Sequence, residues 1–219
     1  MLTLKRIYKS YNGSEVLSNI DIQFESEKIT LIMGSSGIGK STLLNIAGCL
    51  IRPDSGIIEF ENKKIDLVSC NTDEFRVNNF SYVFQNFNLL PEFNVNDNLL
   101  IPAYINNLDI KNVRVRMLEL LDYMNLRNIQ KKFPSELSSG EIQRIALLRS
   151  LLGKQRIIIA DEPTGNLDEI NTKIILNLIA NINRDYKYMF IVASHDKSFL
   201  DIAHKSYFLT NANVETINE

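Results

Sequence analysis

The sequence predicts an α/β fold in which helices cover both faces of a parallel sheet. Short apolar runs alternate with segments of helical periodicity, and the runs at 156–160 and 188–193 are almost wholly apolar. Such runs are typical of parallel strands, which are buried on both faces. Apolar residues recur at helical spacing between these two runs, at Ile170, Ile174, Ile175, Leu178, Ile179 and Ile182. This strand–helix–strand alternation favours an α/β core.

The first part of the chain predicts a small antiparallel β subdomain. Residues 2–8 and 19–25 have the composition of strands, and Asn12-Gly13-Ser14 between them is a turn signal. Further strands are predicted at 29–33 and 80–84, where short apolar runs recur.

The middle of the chain predicts a helical insert. From about residue 86 to about residue 150 no strand is convincing. An amphipathic helix is marked there by Met117, Leu118, Leu120, Leu121 and Met124. We therefore predict one domain, in which residues 1–85 and 151–219 form the α/β core with its β subdomain.

Composition narrows the classes of function. The chain has 219 residues and a formal net charge of −2, and no basic block stands out, so nothing favours nucleic acid as a partner. Cys49 and Cys70 have no Cys/His neighbours at metal-site spacing, and we expect both to be ordinary thiols of a reduced compartment. No signal-peptide pattern opens the chain, and no apolar run approaches the ~20 residues of a membrane span. Any membrane role is therefore expected to come through a partner.

One loop indicates nucleotide binding. It matches the pattern Gly-x-x-x-x-Gly-Lys-Ser and consists of Gly34, Ser35, Ser36, Gly37, Ile38, Gly39, Lys40, Ser41 and Thr42. The apolar run at 29–33 predicts a strand before it, and residues 42–47 predict a helix after it. Strand, loop and helix in this order form a phosphate-binding unit. The alternative is a glycine-rich turn with a solvated lysine, but it does not account for the matching flanks.

The chemistry of phosphate binding explains the residue types in this loop. Its glycines allow backbone conformations closed to most residues, so that the N–H groups can surround the β-phosphate. The helix that begins near Lys40 adds its positive end. Lys40 supplies a mobile charge for the β- and γ-phosphates, and the Ser41 hydroxyl is a candidate ligand for Mg²⁺.

Two carboxylates follow a later apolar strand. Asp161 and Glu162 end the run at 157–160. Asp161 is the candidate to hold Mg²⁺, and Glu162 is the candidate to orient and activate the attacking water. A strand ending in Asp-Glu is common by itself, and the phosphate loop upstream is what favours the catalytic interpretation.

The segment Leu-Ser-Ser-Gly-Glu at 137–141 predicts a capped helix start. Ser138 has the character of an N-cap, and Glu141 follows three residues later, as a capping box requires. A well-capped helix alone would account for the pattern. Its position just before the Asp161-Glu162 strand favours a functional role in addition to helix capping.

Together these motifs resemble the ATP-binding subunits of ABC transporters, and the resemblance covers nearly the whole chain. The segment at 137–141 is close to the family signature Leu-Ser-Gly-Gly-Gln/Glu, and the other landmarks follow in the family's order. They are Tyr11, the phosphate loop, Gln85 after the strand at 80–84, Asp161 and Glu162, the Pro163–Asp168 segment and His195. The implied fold is a P-loop ABC ATPase core with an N-terminal antiparallel β subdomain and an inserted α-helical subdomain.

The resemblance implies a role for each landmark. Tyr11 would stack on adenine, although by itself it is more typical of a core or surface aromatic. Gln85 would contact Mg²⁺ and link the site to the helical insert, and His195 would position the γ-phosphate and the water. His204 has no such setting, and we expect it to be structural or on the surface.

A dimer completes the site in this family, so the resemblance implies two subunits paired head to tail. The signature residues Ser138, Ser139, Gly140 and Glu141 would cap the ATP of the opposite subunit, and Asp168 would couple the two sites. The substrate would be ATP with Mg²⁺, and the further partner an integral membrane permease. The chain would lie on the cytoplasmic face of the membrane, held there by that permease.

Two positions depart from the family pattern. Ser139 replaces the first glycine of the signature pair, and its side chain either crowds the partner's loop or points away from it. Ile38 is bulkier than the small or polar residues common at its position, and we expect its side chain to face outward with little effect.

Two local segments indicate the branch of the family. Gly165-Asn166-Leu167-Asp168 and the run from Phe84 to Pro91 are similar to the branch of lipoprotein-release, macrolide-export and cell-division ATPases. An ATPase subunit that energises export or release of a lipoprotein, peptide or drug is the first hypothesis. The alternative is a cell-division-type ATPase that signals across the membrane without moving a substrate. Candidate permease contacts are Leu89, Leu90, Pro91, Phe93 and Val95, although each could simply belong to the core of the insert.

Overall fold

Two sheets and six helices make up the parts of the chain that the structure, a computed structural model, describes: residues 1–67, 72–165, 167–210 and 212–218. The strands are β1 (Leu2–Tyr11), β2 (Ser14–Phe24), β3 (Ile29–Met33), β4 (Ser55–Phe60), β5 (Lys63–Lys64), β6 (Phe80–Val83), β7 (Ile157–Asp161), β8 (Met189–Ala193), β9 (Lys205–Thr210) and β10 (Asn213–Asn218). The helices are α1 (Lys40–Ala47), α2 (Thr72–Asn79), α3 (Val95–Ile105), α4 (Ile110–Tyr123), α5 (Ser139–Ser150) and α6 (Glu169–Tyr186).

The larger sheet has six strands in the order β10-β9-β3-β8-β7-β6. All neighbouring pairs are parallel except β10 with β9, which is antiparallel. Because strands β3, β7 and β8 run side by side in one direction, the loops that follow them meet at one edge of the sheet. That edge is where ligands bind in open α/β sheets.

Both faces of the larger sheet are covered, as its apolar strands require. Along β8, Phe190 and Val192 pack into one hydrophobic cluster, and Met189, Ile191 and Ala193 pack into another. The first cluster also contains the buried faces of α3 to α6, and the second joins this sheet to α1 and to the smaller sheet. The period of two along each strand therefore sorts side chains between two cores.

The smaller sheet is antiparallel, with the order β2-β1-β4-β5. A turn at Asn12 and Gly13 joins β1 to β2, as predicted. The segment 86–150 contains α3, α4 and α5, two short 3₁₀ turns (Arg127–Ile129 and Pro134–Glu136) and no strand. No helix in the described ranges is long and apolar enough to cross a membrane.

The predicted fold class is confirmed, and the element bounds differ mainly at exposed edges. The strands predicted in the larger sheet agree with β3, β6, β7 and β8 to within one residue at each end. Strand β2 begins five residues before the predicted start at 19, because Ser14 and Glu15 are polar and exposed and the adjacent pair Val16 and Leu17 breaks the alternation of apolar and polar residues. Strands β4, β5, β9 and β10 and helices α2 and α3 were not identified from the sequence.

One of the two cysteines, Cys49, lies within the described residues. Cys49 is a buried free thiol, and burial raises its pKa to about 12, so it stays protonated at neutral pH. Cys70 lies outside the described residues. Asn166, which helped to indicate the family branch, also lies outside the described residues.

Candidate nucleotide-binding site

The phosphate loop joins β3 to α1, as the sequence predicts. Its glycines at 34, 37 and 39 all have positive φ. At Gly39, the N-cap of α1, φ is 111° and a Cβ atom would lie 2.8 Å from Val16 Cγ1. Only glycine fits this conformation and this space. The loop is thus pressed against β2 and leads directly into the N-terminus of α1.

Lys40 is held by the loop that it follows. Its side chain is only 6% exposed, and Nζ donates to the carbonyl oxygens of Gly34 (2.8 Å) and Ser35 (3.1 Å). The same Nζ lies 3.3 Å from Glu162 Oε1. The ammonium group of Lys40 is therefore held beside Glu162, the candidate to activate the attacking water.

Glu162 is fixed from its other side by the end of β8. Its Oε2 lies 2.9 Å from His195 Nδ1 and accepts a 3.3 Å hydrogen bond from Ser194 Oγ. Its backbone has a φ of 46°, a left-handed conformation rare for glutamate, and its N–H donates to Ala193 O at 2.9 Å. Strained backbone persists only where surrounding contacts hold it, and it concentrates at functional sites.

Asp161 has the character of a cation ligand. Its Oδ1 is buried and has no hydrogen-bond partner within the described parts of the chain, whereas the carboxylate does bond the Ser41 side chain. Burial raises the pKa of Asp161, and the nearby Glu162 carboxylate acts in the same direction. A buried carboxylate oxygen without a donor fits a hard divalent cation, which takes oxygen ligands.

These groups open onto one cleft of about 480 Å³. Its lining includes the predicted residues Ser36, Gly37, Gly39, Lys40, Ser41, Thr42, Gln85, Asp161, Glu162 and His195. Thus the phosphate loop, both carboxylates, the glutamine and the histidine are brought together from four separate segments. The lining also includes Val16 and Gly165, which were not predicted from the sequence.

Ser194 is a further residue that sequence reasoning missed. It is completely buried, donates to Glu162 and accepts a 3.1 Å hydrogen bond from the N–H of Asp196. A polar residue between an apolar strand and His195 was the available signal. Its contact with Glu162 spans 32 positions in sequence, so only the fold reveals it.

The signature turn, residues Ser138 to Glu141, does not line the cleft. Its predicted capping box is present: Glu141 N donates to Ser138 Oγ (3.3 Å), and Ser138 N donates to Glu141 Oε2 (2.8 Å). The hydrogen bond from Ser138 N lowers the pKa of the Glu141 carboxyl. Ser139, at the first position of α5, is exposed.

Tyr11 and Asp168 also lie outside the lining of the cleft. Tyr11 ends β1 and is 46% exposed, with Lys9 Nζ 5.3 Å from its ring centre. Asp168 caps α6 by accepting from the N–H of Asn171 at 2.8 Å.

The expected orientation of the Ile38 side chain was wrong, whereas its small effect stays a prediction. Its side chain packs against the hydrophobic cluster beneath the loop instead of facing outward. A Cβ atom at Gly34 would approach Ile38 Cγ2 to 3.0 Å, which shows how closely the side chain folds over the loop. The bulk that distinguishes Ile38 is thus used in packing.

The loop from Gln85 to Asn94 is tied to two helices. The buried Asn98 side chain of α3 donates to the carbonyl oxygens of Leu90 (3.0 Å) and Phe93 (2.9 Å). The Arg149 guanidinium of α5 donates to the carbonyl oxygens of Phe87 (2.8 Å) and Asn88 (2.7 Å). The loop therefore has a defined shape, although it is largely exposed.

The five candidate permease contacts on this loop and α3 divide into two groups. Leu90 (42% exposed) and Phe93 (45% exposed) present apolar surface, and Pro91 is exposed beside them. Val95 is buried and Leu89 packs against the core, so both belong to the core of the helical region.

Comparison with known proteins decides the family. A family model described as ABC transporter matches residues 17–165, which is more than half of the chain. The chain belongs to the ABC transporter family. The predicted family is confirmed, and with it the predicted class, the nucleotide-binding, ATP-hydrolysing subunit of an ABC transporter.

Two curated relatives of this ABC protein share one name. A lipoprotein-releasing system ATP-binding protein LolD from Bacteroides fragilis is 34% identical, with 98% of this chain and 100% of the relative covered. A LolD protein from Buchnera aphidicola (from Acyrthosiphon pisum) is 40% identical over 88% of this chain and 86% of its own length.

Solved structures of ABC cassettes have the same fold. The dimeric structure of MJ0796, a bacterial ABC transporter cassette, has a TM-score of 0.87 and 31% identity, with 98% of this chain and 97% of that chain covered. A dimeric post-hydrolysis state of MJ0796, bound to ADP and Pi, has a TM-score of 0.88 and 30% identity over the full length of both chains.

Proposed function

We propose that this chain is the ATP-hydrolysing subunit of a lipoprotein-release transporter and that it energises a membrane permease. The observation that carries the catalytic part is Glu162, held in a nucleotide-sized cleft between Lys40 and His195. The names of the relatives support lipoprotein as the cargo class.

Binding of ATP begins at the phosphate loop. The loop N–H groups and the N-terminus of α1 provide positive potential for the β-phosphate. Lys40 is the mobile charge for the β- and γ-phosphates, and binding would exchange its contacts with Gly34, Ser35 and Glu162 for phosphate oxygens. Tyr11, which is exposed, would stack on the adenine ring.

The oxygen groups around Asp161 fit Mg²⁺. Ser41, Asp161 and Gln85 line the same cleft, and the unpaired buried Oδ1 of Asp161 is the strongest argument for a cation there. Mg²⁺, when bound, neutralises charge on the phosphates during transfer.

Hydrolysis requires a base close to the γ-phosphate. Glu162 is assigned to orient the attacking water and accept its proton, which is the role of a carboxylate general base. His195 and Ser194 fix the Glu162 carboxylate through Oε2. His195 would also contact the γ-phosphate, because its side chain lines the cleft.

A second copy of the chain completes the site. The signature turn exposes Ser138 and Ser139, is capped and does not line its own cleft. A helix N-terminus suits an anionic γ-phosphate, so α5 of one subunit would cap the ATP of the other. Asp168 would couple the two sites, and the solved dimers of similar cassettes support this arrangement.

The permease contact is assigned to the exposed apolar residues of the loop that follows Gln85. Leu90 and Phe93 present this surface on a loop fixed by Asn98 and Arg149. The chain would lie on the cytoplasmic face of the membrane, attached through the permease.

The catalytic assignment is tested with Glu162→Gln. We expect hydrolysis to fall by about 10²-fold or more, because the general base is lost. The variant should form a stable dimer with ATP and not with ADP, measured by light scattering after gel filtration. Glu169→Gln, on the exposed surface of α6, is the matched control and should behave as the parent. A Glu162→Gln protein that remains monomeric at saturating ATP and turns over normally contradicts the assignment.

The transport assignment is tested by purification from detergent-solubilised source membranes. Tagged Glu162→Gln protein with ATP should retain a permease that has a large extracytoplasmic domain. Phe93→Glu should lose that permease but still bind ATP, whereas Val115→Glu, at a similarly exposed apolar residue of α4, should retain it. A division-complex partner would indicate the signalling alternative, and recovery of the homodimer alone would contradict membrane coupling.

A further inference from the structure

The side chain of Asn171 joins two segments that the proposed function assigns to the dimer. Asn171 lies in the first turn of α6 and is half-buried. Its Nδ2 donates to both carboxylate oxygens of Asp168, at 3.0 Å and 3.1 Å. The same amide group lies directly against Gly140 in the signature turn.

Gly140 is glycine for a reason within its own chain. A Cβ atom at this position would lie 2.5 Å from Asn171 Oδ1 and 2.9 Å from Asn171 Cγ. Real Cβ atoms do not come this close to other heavy atoms, so the amide of Asn171 occupies the space that any side chain at 140 would need. The two residues are 31 positions apart in sequence, so this contact depends on the fold.

Capping of α6 does not explain the position of the Asn171 side chain. The cap is the hydrogen bond from the backbone N–H of Asn171 to Asp168 Oδ1, and every residue except proline would supply it. The side-chain hydrogen bonds are additional. They orient the amide so that one end holds Asp168 and the other end packs on Gly140.

We propose that Asn171 is a positioning residue that sets the spacing between Asp168 and the signature turn of the same subunit. Both segments then reach the opposite subunit in register. This inference rests on the proposed function, since it concerns how the ATP-bound dimer forms. Asn171 itself does not line the nucleotide cleft.

The test is a set of variants in the Glu162→Gln background: Asn171→Ala, Gly140→Ala and the two combined. Asn171→Ala removes the amide and keeps the backbone cap, so α6 should remain folded. We expect the ATP concentration for half-maximal dimerisation to rise about tenfold, as is typical when a contact between coupled residues is lost. ADP affinity, which reports the single-chain cleft, should stay within about twofold of the parent.

The combined variant separates positioning from general damage. Gly140→Ala alone should weaken dimerisation at least as much as Asn171→Ala, because the new methyl group displaces the amide. With the amide removed, the methyl group has room, so the double variant should dimerise no worse than Asn171→Ala. Glu169→Ala, which breaks only the exposed pair with Lys173 in the same helix turn, is the control and should have no effect. Asn171→Ser provides the same comparison if the alanine variant does not fold.

The outcomes distinguish this inference from the proposed function. If Glu162→Gln fails to dimerise with ATP, the proposed function and the inference both fall. If it dimerises and Asn171→Ala dimerises equally well, only the inference is overturned. Strictly additive losses in the double variant would also overturn it, because they would show that Gly140 is required for reasons unrelated to Asn171.

Discussion

The nucleotide cleft and the signature turn differ in how their residues are held. In the cleft, Glu162 contacts both Lys40 and His195, so these three side chains are positioned within one chain. The signature turn is shaped by its own capping box and is largely exposed. A change in the cleft should therefore alter properties of the single chain, whereas a change in the turn should alter mainly what the chain does with a second copy.

The largest effect is expected from Lys40→Ala, which removes a charged group from the cleft. It removes the point charge for the phosphates and leaves Glu162 without its cationic neighbour. We expect the catalytic rate to fall by about 10²–10³-fold, the usual cost of removing one group that stabilises charge in a site. Steady-state hydrolysis and ADP calorimetry measure this, with Lys173→Ala on the exposed surface as control. An unchanged ADP affinity would contradict the role of Lys40 in the single chain.

His195→Ala should separate hydrolysis from binding. We expect turnover to fall by about 10²-fold while ADP affinity is retained, because His195 acts through Glu162 and the γ-phosphate. Ser194→Ala should have a smaller effect, about tenfold or less, since it removes one 3.3 Å hydrogen bond to Glu162. A larger loss for Ser194→Ala than for His195→Ala would reverse this assignment.

Ser138→Ala tests the signature turn without touching the cleft. Loss of the N-cap should destabilise the chain by about 1 kcal/mol and lower Tm by roughly 2–4 °C. ADP affinity should not change, because Ser138 does not line the cleft. Calorimetry provides both quantities, and a loss of ADP affinity would show that cleft and turn are not independent.

The smallest effect is expected outside both regions, at His204. His204 is exposed overall, but its Nδ1 accepts the N–H of Ile29 at 3.1 Å. Partial burial of the ring, followed by the charge of Lys28, lowers its pKa below 6.5. The unfolded chain therefore binds more protons than the folded chain just below pH 6.5. The stability that His204 contributes is present above pH 6.5 and is lost as pH falls below it.

His204→Asn places an amide oxygen near the position of Nδ1 and cannot titrate. Urea unfolding from pH 7.5 to pH 5.5 should show a smaller loss of stability in this variant than in the parent. Equal losses would show that other groups dominate the pH dependence in this range. The same measurement gives the pH dependence of the parent's stability, with which the stabilities of the cleft and turn variants are compared.

The cleft could be predicted further than the rest because its signals are local. The loop from Gly34 to Thr42 carries its own strand, glycines and helix start, and Asp161 and Glu162 follow an unmistakable buried strand. The capping box at Ser138 is equally local. Such features depend on neighbours within a few residues, which the sequence displays directly.

Contacts between distant segments could not be predicted in the same way. The contact of Ser194 with Glu162 and that of Asn171 with Gly140 join segments about 30 residues apart. Strand β10 is an edge strand of the larger sheet and β9 lies next to it, and both have mixed exposure, so they lack the apolar run that reveals β7 and β8. Ile38 was misjudged because the core beneath the loop includes residues of β1 and β2, which are distant from Ile38 in sequence.

Helix α5 connects the signature turn to the loop that follows Gln85. It begins at the signature turn, and Arg149 near its other end holds the carbonyl oxygens of Phe87 and Asn88. Its 12 residues span about 18 Å along the helix axis. Because its internal hydrogen bonds keep the length of the helix constant, we expect a displacement of the loop that follows Gln85 to move Ser138 as well.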